Sequence, residues 1–283
     1  MKKKGILMVV LLFFLTVAVV YLGYSYSDKQ QEELIHATST AAEKEETADN
    51  EEGTIETVDP ATYEEKREQL SVLDYLKYIG TQNEEIAIAF YGQLPETESW
   101  TGNTVNTLET ELNLEVKSTL LTASETDSYE LYITNKAQEL AETNAAVVFF
   151  MIPALGDQVR DVSLEDSKDY LTRNVTQIQE VLPDTLVVLV SPHPTNSAGN
   201  SLNSRMLDYV QYTNSGIEAA EENNMPVFDL HAAYTERLTA ENIELTTVLQ
   251  EDGTLLNSQG EELMSELFME QLIVPVDTTS GIQ

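Results

Sequence analysis

Beyond residue 60 the apolar positions fall into two alternating periods. Short, nearly unbroken aliphatic runs recur at Ile86 to Tyr91, Leu114 to Leu121, Ala145 to Ile152, Leu186 to Val190 and Pro226 to Leu230. Such runs read as strands, and those near 145–152 and 186–190 are apolar enough to be buried on both faces. Between them the spacing changes to three and four residues. It predicts helices over Tyr63 to Tyr78, Trp100 to Leu112, Tyr129 to Glu142, Leu164 to Val181, Leu202 to Asn224 and Ser258 to Ile273. Alternating strands and helices predict an α/β domain over 61–275, its five-stranded parallel sheet covered on both sides. The residues after it, 276–283, read as a frayed tail.

The first 60 residues follow neither period. Three lysines, Lys2 to Lys4, precede an uncharged apolar run from Gly5 to about Gly23, with Tyr21, Tyr24 and Tyr26 at its far end. About 20 apolar residues suffice to cross a bilayer as a helix. The flanking charges predict a signal anchor over 1–26, with its N-terminus in the cytoplasm and the domain outside the cell. The alternative is a signal peptide cut near Ser25 or Ser27. Residues 27–60 are rich in Glu, Thr, Ala and Asp, and too poor in large apolar groups to offset chain entropy. They read as an acidic, self-repelling stalk.

Composition narrows the partners. The formal net charge of −34 over 283 residues excludes nucleic acid as an expected ligand, since phosphate binding needs clustered Lys and Arg. No cysteine is present, which removes disulfides, thiolate metal sites, a Cys nucleophile and a lipoprotein anchor. A cysteine-free protein outside the membrane suits a Gram-positive cell envelope. The expected partners are therefore the membrane, through the N-terminal helix, and an envelope glycan or envelope protein. No cofactor is expected.

In an open parallel sheet, ligands gather beyond the carboxyl ends of the strands. Those ends read Tyr91-Gly92-Gln93-Leu94-Pro95, Ile152-Pro153-Ala154-Leu155-Gly156-Asp157, Ser191-Pro192-His193-Pro194 and Pro226-Val227-Phe228-Asp229-Leu230. Asp252-Gly253-x-x-x-Asn257-x-x-Gly260 precedes the last helix. In this order and spacing the series resembles the SGNH/GDSL hydrolase family, over nearly the whole chain after the stalk. The resemblance implies a flavodoxin-like three-layer αβα sandwich. It also implies ester hydrolysis, or removal of O-acetyl groups from glycans, as the usual activity.

The family's reacting groups are not matched. Its nucleophile, a Ser in Gly-Asp-Ser, aligns with Leu94. Its base, a His three residues after an Asp, aligns with Leu255 after Asp252. No Gly lies between Thr122 and Ser128 to supply the second oxyanion donor. The Asn of Gly-x-Asn-Asp is lost while Asp157 is kept. A leucine can neither attack a carbonyl nor take a proton. The resemblance with these replacements implies a degenerate, binding member. The alternative is a divergent esterase or deacetylase acting on acyl esters of envelope glycans.

Asp157, His193, Asp252 and Asn257 remain as pocket candidates. His193 or His231 could act as a base if Thr97, Ser99 or Ser191 lay beside it; either could equally be a packed loop histidine. Asp157, Asp229 and Asp252 could share a cation, although turn and cap chemistry explains them more simply and no metal is expected. Asn257 or Ser258 suits a helix cap. Trp100 could offer a sugar-stacking face or, more ordinarily, fill the core.

Overall fold

The structure, a computed structural model, describes residues 60–95, 99–196 and 201–281. The expected anchor over 1–26, the stalk up to residue 59, and Thr97 lie outside the described residues. Among the described residues no helix is long and apolar enough to cross a membrane.

In chain order the elements are α1 (Pro60–Lys66), β1 (Leu70–Ser71), α2 (Val72–Gly80), β2 (Glu85–Gln93), α3 (Trp100–Leu112), β3 (Glu115–Ala123), α4 (Ser128–Ile133), β4 (Val147–Met151) and α5 (Ala154–Val159). There follow α6 (Leu164–Val181), β5 (Leu186–Val190), α7 (Tyr209–Glu222), β6 (Val227–Phe228), α8 (Leu230–Glu241), α9 (Ser258–Leu272) and β7 (Pro275–Val276). The main sheet has the order β3-β2-β4-β5-β6, and all its neighbouring strands run parallel. This is the expected flavodoxin-like sheet, in which the progression of strand order reverses between β2 and β4.

Alternation along each central strand divides the core in two. Ile86, Ile88, Phe90, Val147, Phe149, Met151, Leu186, Val188 and Val190 pack with Trp100, Leu108, Leu267 and Phe268 on one face. Ala89, Tyr91, Val148, Phe150, Ile152, Val187 and Leu189 pack with Leu171, Val175, Ile178 and Tyr212 on the other. Side chains of period two therefore feed both layers, and only a strand covered on both sides can be apolar at every position.

The helix starts are set by short polar side chains. Asp127 caps α4, Ser163 caps α6, Asp229 caps α8 and Asn257 caps α9, and Asp208 forms a capping box with Gln211 at α7. Each oxygen satisfies a backbone N–H that has no partner within its helix. Asn113 and Asn242 end α3 and α8 in the left-handed region, which asparagine tolerates well.

Several boundaries differ from the sequence reading. The helix expected over 63–78 is broken into α1 and α2 by β1. The helix expected from Leu202 starts only at Tyr209, because the Asn203 side-chain Oδ1 accepts from the Arg205 and Leu207 amides and holds the chain in a turn. Residues 129–142 form α4 and a separate 3-10 turn at Lys136–Leu140.

The C-terminal residues are held in place. β7 pairs antiparallel with β1. The Arg67 guanidinium donates to the carbonyls of Thr278, Thr279 and Gly281, and the Thr278 hydroxyl donates to the Arg67 carbonyl at 2.8 Å. The expectation of fraying over 276–283 fails for residues 276–281. Hydrogen bonding to a distant arginine is invisible to a reading of local composition.

Candidate functional site

The carboxyl ends of β2, β4 and β5 converge on one small cavity. Its walls include Gln93, Leu94 and Pro95 after β2, Met151 and Leu155 around the end of β4, and Pro192, His193 and Thr195 after β5. Trp100, Tyr209, Leu255 and Met264 close it from the helices and the loop before α9, and its volume is about 120 Å³. Gly92, next to last in β2, has φ 105°, and a Cβ there would lie 2.5 Å from the Met151 carbonyl oxygen. Only glycine fits.

Leu94 and Leu255, the two residues that the resemblance aligns with a nucleophile and a base, line one cavity. Leu94 is buried and Leu255 half-buried. The tertiary fold brings together the two residues that the motif pairs, and both are aliphatic. Neither offers a lone pair or a transferable proton.

Backbone donors above β4 are already engaged. The Gln93 Oε1 accepts from the amides of Leu155 and Gly156, each at 3.1 Å, and its Nε2 donates to the Ser124 carbonyl at 3.0 Å. A neutral side-chain oxygen sits against the two N–H groups of the first turn of α5. Stabilising a developing oxyanion requires donors aimed at the point where charge appears. These two instead receive an amide oxygen supplied by the protein itself.

His193 is the candidate that lies on the cavity wall. It is buried, and its Nε2 lies 2.8 Å from the Thr254 carbonyl oxygen. A carbonyl only accepts, so Nε2 carries the proton. Burial holds the imidazole below its ordinary pKa, against a smaller opposing pull from that hydrogen bond and from Asp252. The ring is therefore neutral at pH 7, with Nε2 committed to the backbone rather than to a hydroxyl. The hydroxyl-bearing residues Ser124, Thr195 and Thr254 also border the cavity. The Thr195 hydroxyl is buried and has no hydrogen-bond partner among the described residues.

The other candidates occupy structural positions. Asp157 is buried at the start of α5, where its carboxylate accepts the Ser128 amide at 2.7 Å and the Ser167 hydroxyl. Burial, only partly offset by these bonds, pushes its pKa up to about 6. Asp252 is exposed and accepts the amides of Thr254 and Leu255, forming a turn on itself. Asn257 Oδ1 caps α9, while its Nδ2 donates to the carbonyls of Thr247 and Leu249.

Asp229 accepts from the Ser191 hydroxyl and the Ala232 amide, and Ser191 in turn accepts the His231 amide. The His231 Nδ1 lies 3.2 Å from the Pro192 carbonyl, and burial lowers its pKa. Ser191 is thus linked to His231 through the backbone, not through the imidazole. Ser99 donates to the Glu261 carboxylate. Among the described residues no group of three or more acidic or imidazole side chains could hold a metal ion. Trp100 is fully buried, edge-on to Phe90 and tilted against Phe268, so it offers no exposed stacking face.

Sequence reasoning missed Gln93, Thr195, Tyr209 and Met264. Gln93 was legible as the residue replacing the Asp of the Gly-Asp-Ser pattern. The other three reach the cavity from beyond the motif segments and leave no local signature.

The cavity adjoins open ground on two sides. It shares Pro95, Ser124 and Leu255 with a groove of about 770 Å³ beside β3 and α4, where Glu125, Glu130, Lys136 and Glu139 stand. It shares Leu155 and Thr254 with a hollow of about 420 Å³ lined by Val159, Asp161 and Leu202.

Comparison by sequence finds no matching family profile and no matching curated protein. Comparison by structure does find similar folds. A protein described as a GDSL-like lipase from Parabacteroides merdae superimposes with TM-score 0.53 and 15% identity, over 67% of this chain and 96% of its own. An acetyl-xylooligosaccharide esterase of Geobacillus gives 0.52 and 16%, over 66% and 94%. The acetyl xylan esterase AlAXEase gives 0.51 and 16%, over 65% and 98%. At such identities the likeness is one of fold.

Proposed function

Starting from an SGNH/GDSL hydrolase-like fold, we propose that this chain is a binding member of that architecture that has lost its chemistry. In this reading it is held at the outer face of the cell membrane by an N-terminal helix. It recognises an envelope glycan or envelope protein in the crevice where relatives of this fold cut esters. The observation that carries the proposal is the pairing of Leu94 and Leu255 across one cavity. Acyl transfer by this route needs an oxygen nucleophile, a base within hydrogen-bond reach and vacant oxyanion donors. The first two positions are aliphatic, and the Gly and Asn donors that the resemblance implies are not matched.

Two solved structures with this fold carry names of esterases that act on acetylated xylan or its oligosaccharides. Those names set the substrates for the test. The purified chain is expected to show no release of acetate from acetylated xylan, or from a chromogenic acetyl ester, beyond the spontaneous rate. Because His193 shares the cavity wall with Ser124 and Thr195, a second reading keeps a relocated catalytic pair. Its signature is turnover that disappears in His193→Ala. That result would end the non-catalytic reading.

A further inference from the structure

We propose that two copies of this chain pair antiparallel through the outer edge of β3, about a two-fold axis at Leu120, and so join their five-stranded sheets into one. The inference is independent of the crevice and of whether the crevice is reactive.

The two edges of the sheet differ. On one side it ends in β6, only Val227 and Phe228. On the other it ends in β3, whose nine residues keep unbroken register with β2. Edge strands are ordinarily blunted by shortness, bulges, proline or charge. β6 is short. β3 has no bulge and no proline, and from Ser118 to Ser124 it carries no charged residue. Its one lysine, Lys117, is paired with Glu85 of β2.

The main chain of β3 presents unused groups along that edge. The Ala123 carbonyl accepts the Leu94 amide just beyond β2. The odd-numbered residues of β3 therefore turn their N–H and C=O toward β2, and the even-numbered ones turn away from it. The outward Val116 amide donates to the Glu109 carboxylate at 3.0 Å. The outward main-chain groups of Ser118, Leu120 and Thr122 have no partner among the described residues. At the middle of this row the Leu120 side chain is 44% exposed.

A second β3 matches the row without remainder. With Leu120 opposite its own copy, Ser118 of each chain faces Thr122 of the other, and the N–H and C=O of all three residues find partners. The two Leu120 side chains cover each other, and Thr119 stands beside Leu121. The acidic segment 27–59 fits less well, because it would lay carboxylates along an uncharged strand. Carboxylates meet only at the ends of the pair, Glu115 with Glu125 of the second copy, so salt should strengthen the association. One pair of strands is a small interface beside the roughly 1,200 Å² of stable complexes. The pairing is accordingly weak and is best read by trapping it.

The chain has no cysteine of its own, which makes the trap specific. Full-length variants in the membranes of a bacterial host are oxidised with copper phenanthroline and resolved on non-reducing gels. Leu120→Cys should cross-link to itself about tenfold faster than Val159→Cys, because pairing holds its thiols at high effective concentration. Val159 is the more exposed control, at 72%. Ser118→Cys alone should stay monomeric, since its two copies lie roughly 14 Å apart, beyond the roughly 7 Å reach of a disulfide. Mixed with Thr122→Cys chains it should cross-link, and more so at 0.5 M than at 0.05 M sodium chloride, as roughly a Debye-screened repulsion requires. Adding Leu120→Lys to both chains sets like charges on the axis and should return the yield to the Val159→Cys level, with the melting curve of the variant showing that the fold is kept.

The proposal is overturned if Leu120→Cys cross-links no faster than Val159→Cys, if Ser118→Cys alone matches the mixture, or if Leu120→Lys leaves the yield unchanged. It is also overturned if Leu120→Cys neither cross-links nor reacts with a maleimide, which would show the edge covered by segment 27–59 or by another protein.

Discussion

Asp157 shows how a residue singled out by a motif serves structure. Its carboxyl lies within the core, held by Ser128 and Ser167, with its pKa pushed up to about 6 by burial. A folded-state pKa above the unfolded value favours the protonated form in the native state. The resulting stabilisation is complete below about pH 4 and is lost as pH rises through 6. The difference corresponds to about 3 kcal/mol between those limits. Asp157→Asn, whose amide can serve both partners, should therefore be more stable than the parent at pH 7.5. The gap should close near pH 4, and denaturant titrations of the two proteins at both pH values check this. Gly156 is as constrained. A Cβ there would lie 1.9 Å from the Thr126 carbonyl oxygen, so Gly156→Ala should cost about 3 kcal/mol or more. At this scale the sequence was partly legible. The approach of Leu94 and Leu255 to one cavity can be read directly, because both follow motif segments at strand ends or before the last helix. The Thr195 hydroxyl, without a partner among the described residues, cannot be read, because satisfaction of a buried polar group depends on neighbours from distant segments.

Among the elements, strands were more legible than helix boundaries. β4 and β5 are apolar at every position, a pattern that leaves little choice but a sheet covered on both faces. α8 was not foreseen. Its buried positions are only Leu230, Tyr234 and Leu238, and the first of them reads as the end of a strand. The β1/β7 pair also escaped, since two-residue strands have no periodicity and their pairing joins residues some two hundred positions apart. That pair makes a prediction. Arg67 binds three carbonyls of the terminal segment, and charge-assisted hydrogen bonds are worth about 1.5–3 kcal/mol. Arg67→Ala should lower stability by about 2–4 kcal/mol, and ending the chain after Pro275 should do at least as much. Hydrogen exchange should then quicken first in α1, β1 and α2, leaving β4 and β5 protected. Equal protection in parent and variant would show that the terminal clasp is energetically idle.

For the whole molecule, a formal charge of −34 dominates its behaviour in solution. Self-repulsion disfavours the compact state, and salt screens it over a Debye length of roughly 10 Å at 0.1 M. Raising sodium chloride from about 0.05 M to 0.5 M should raise the melting temperature, and a fall would contradict this picture. The architecture was legible at this scale because strand order and chemistry both follow from alternation and from motif order. The shape of the cavity was not, because its walls come from segments scattered between Gln93 and Met264. The account stands or falls on the reactivity of the crevice above β2, β4 and β5. The direct measurement is the intact mass of the full-length chain after exposure to a fluorophosphonate that labels activated hydroxyls. The expected result is an unchanged mass. A stoichiometric adduct on Ser124 or Thr195, lost when His193 is replaced, would reveal a working nucleophile and base and contradict the account.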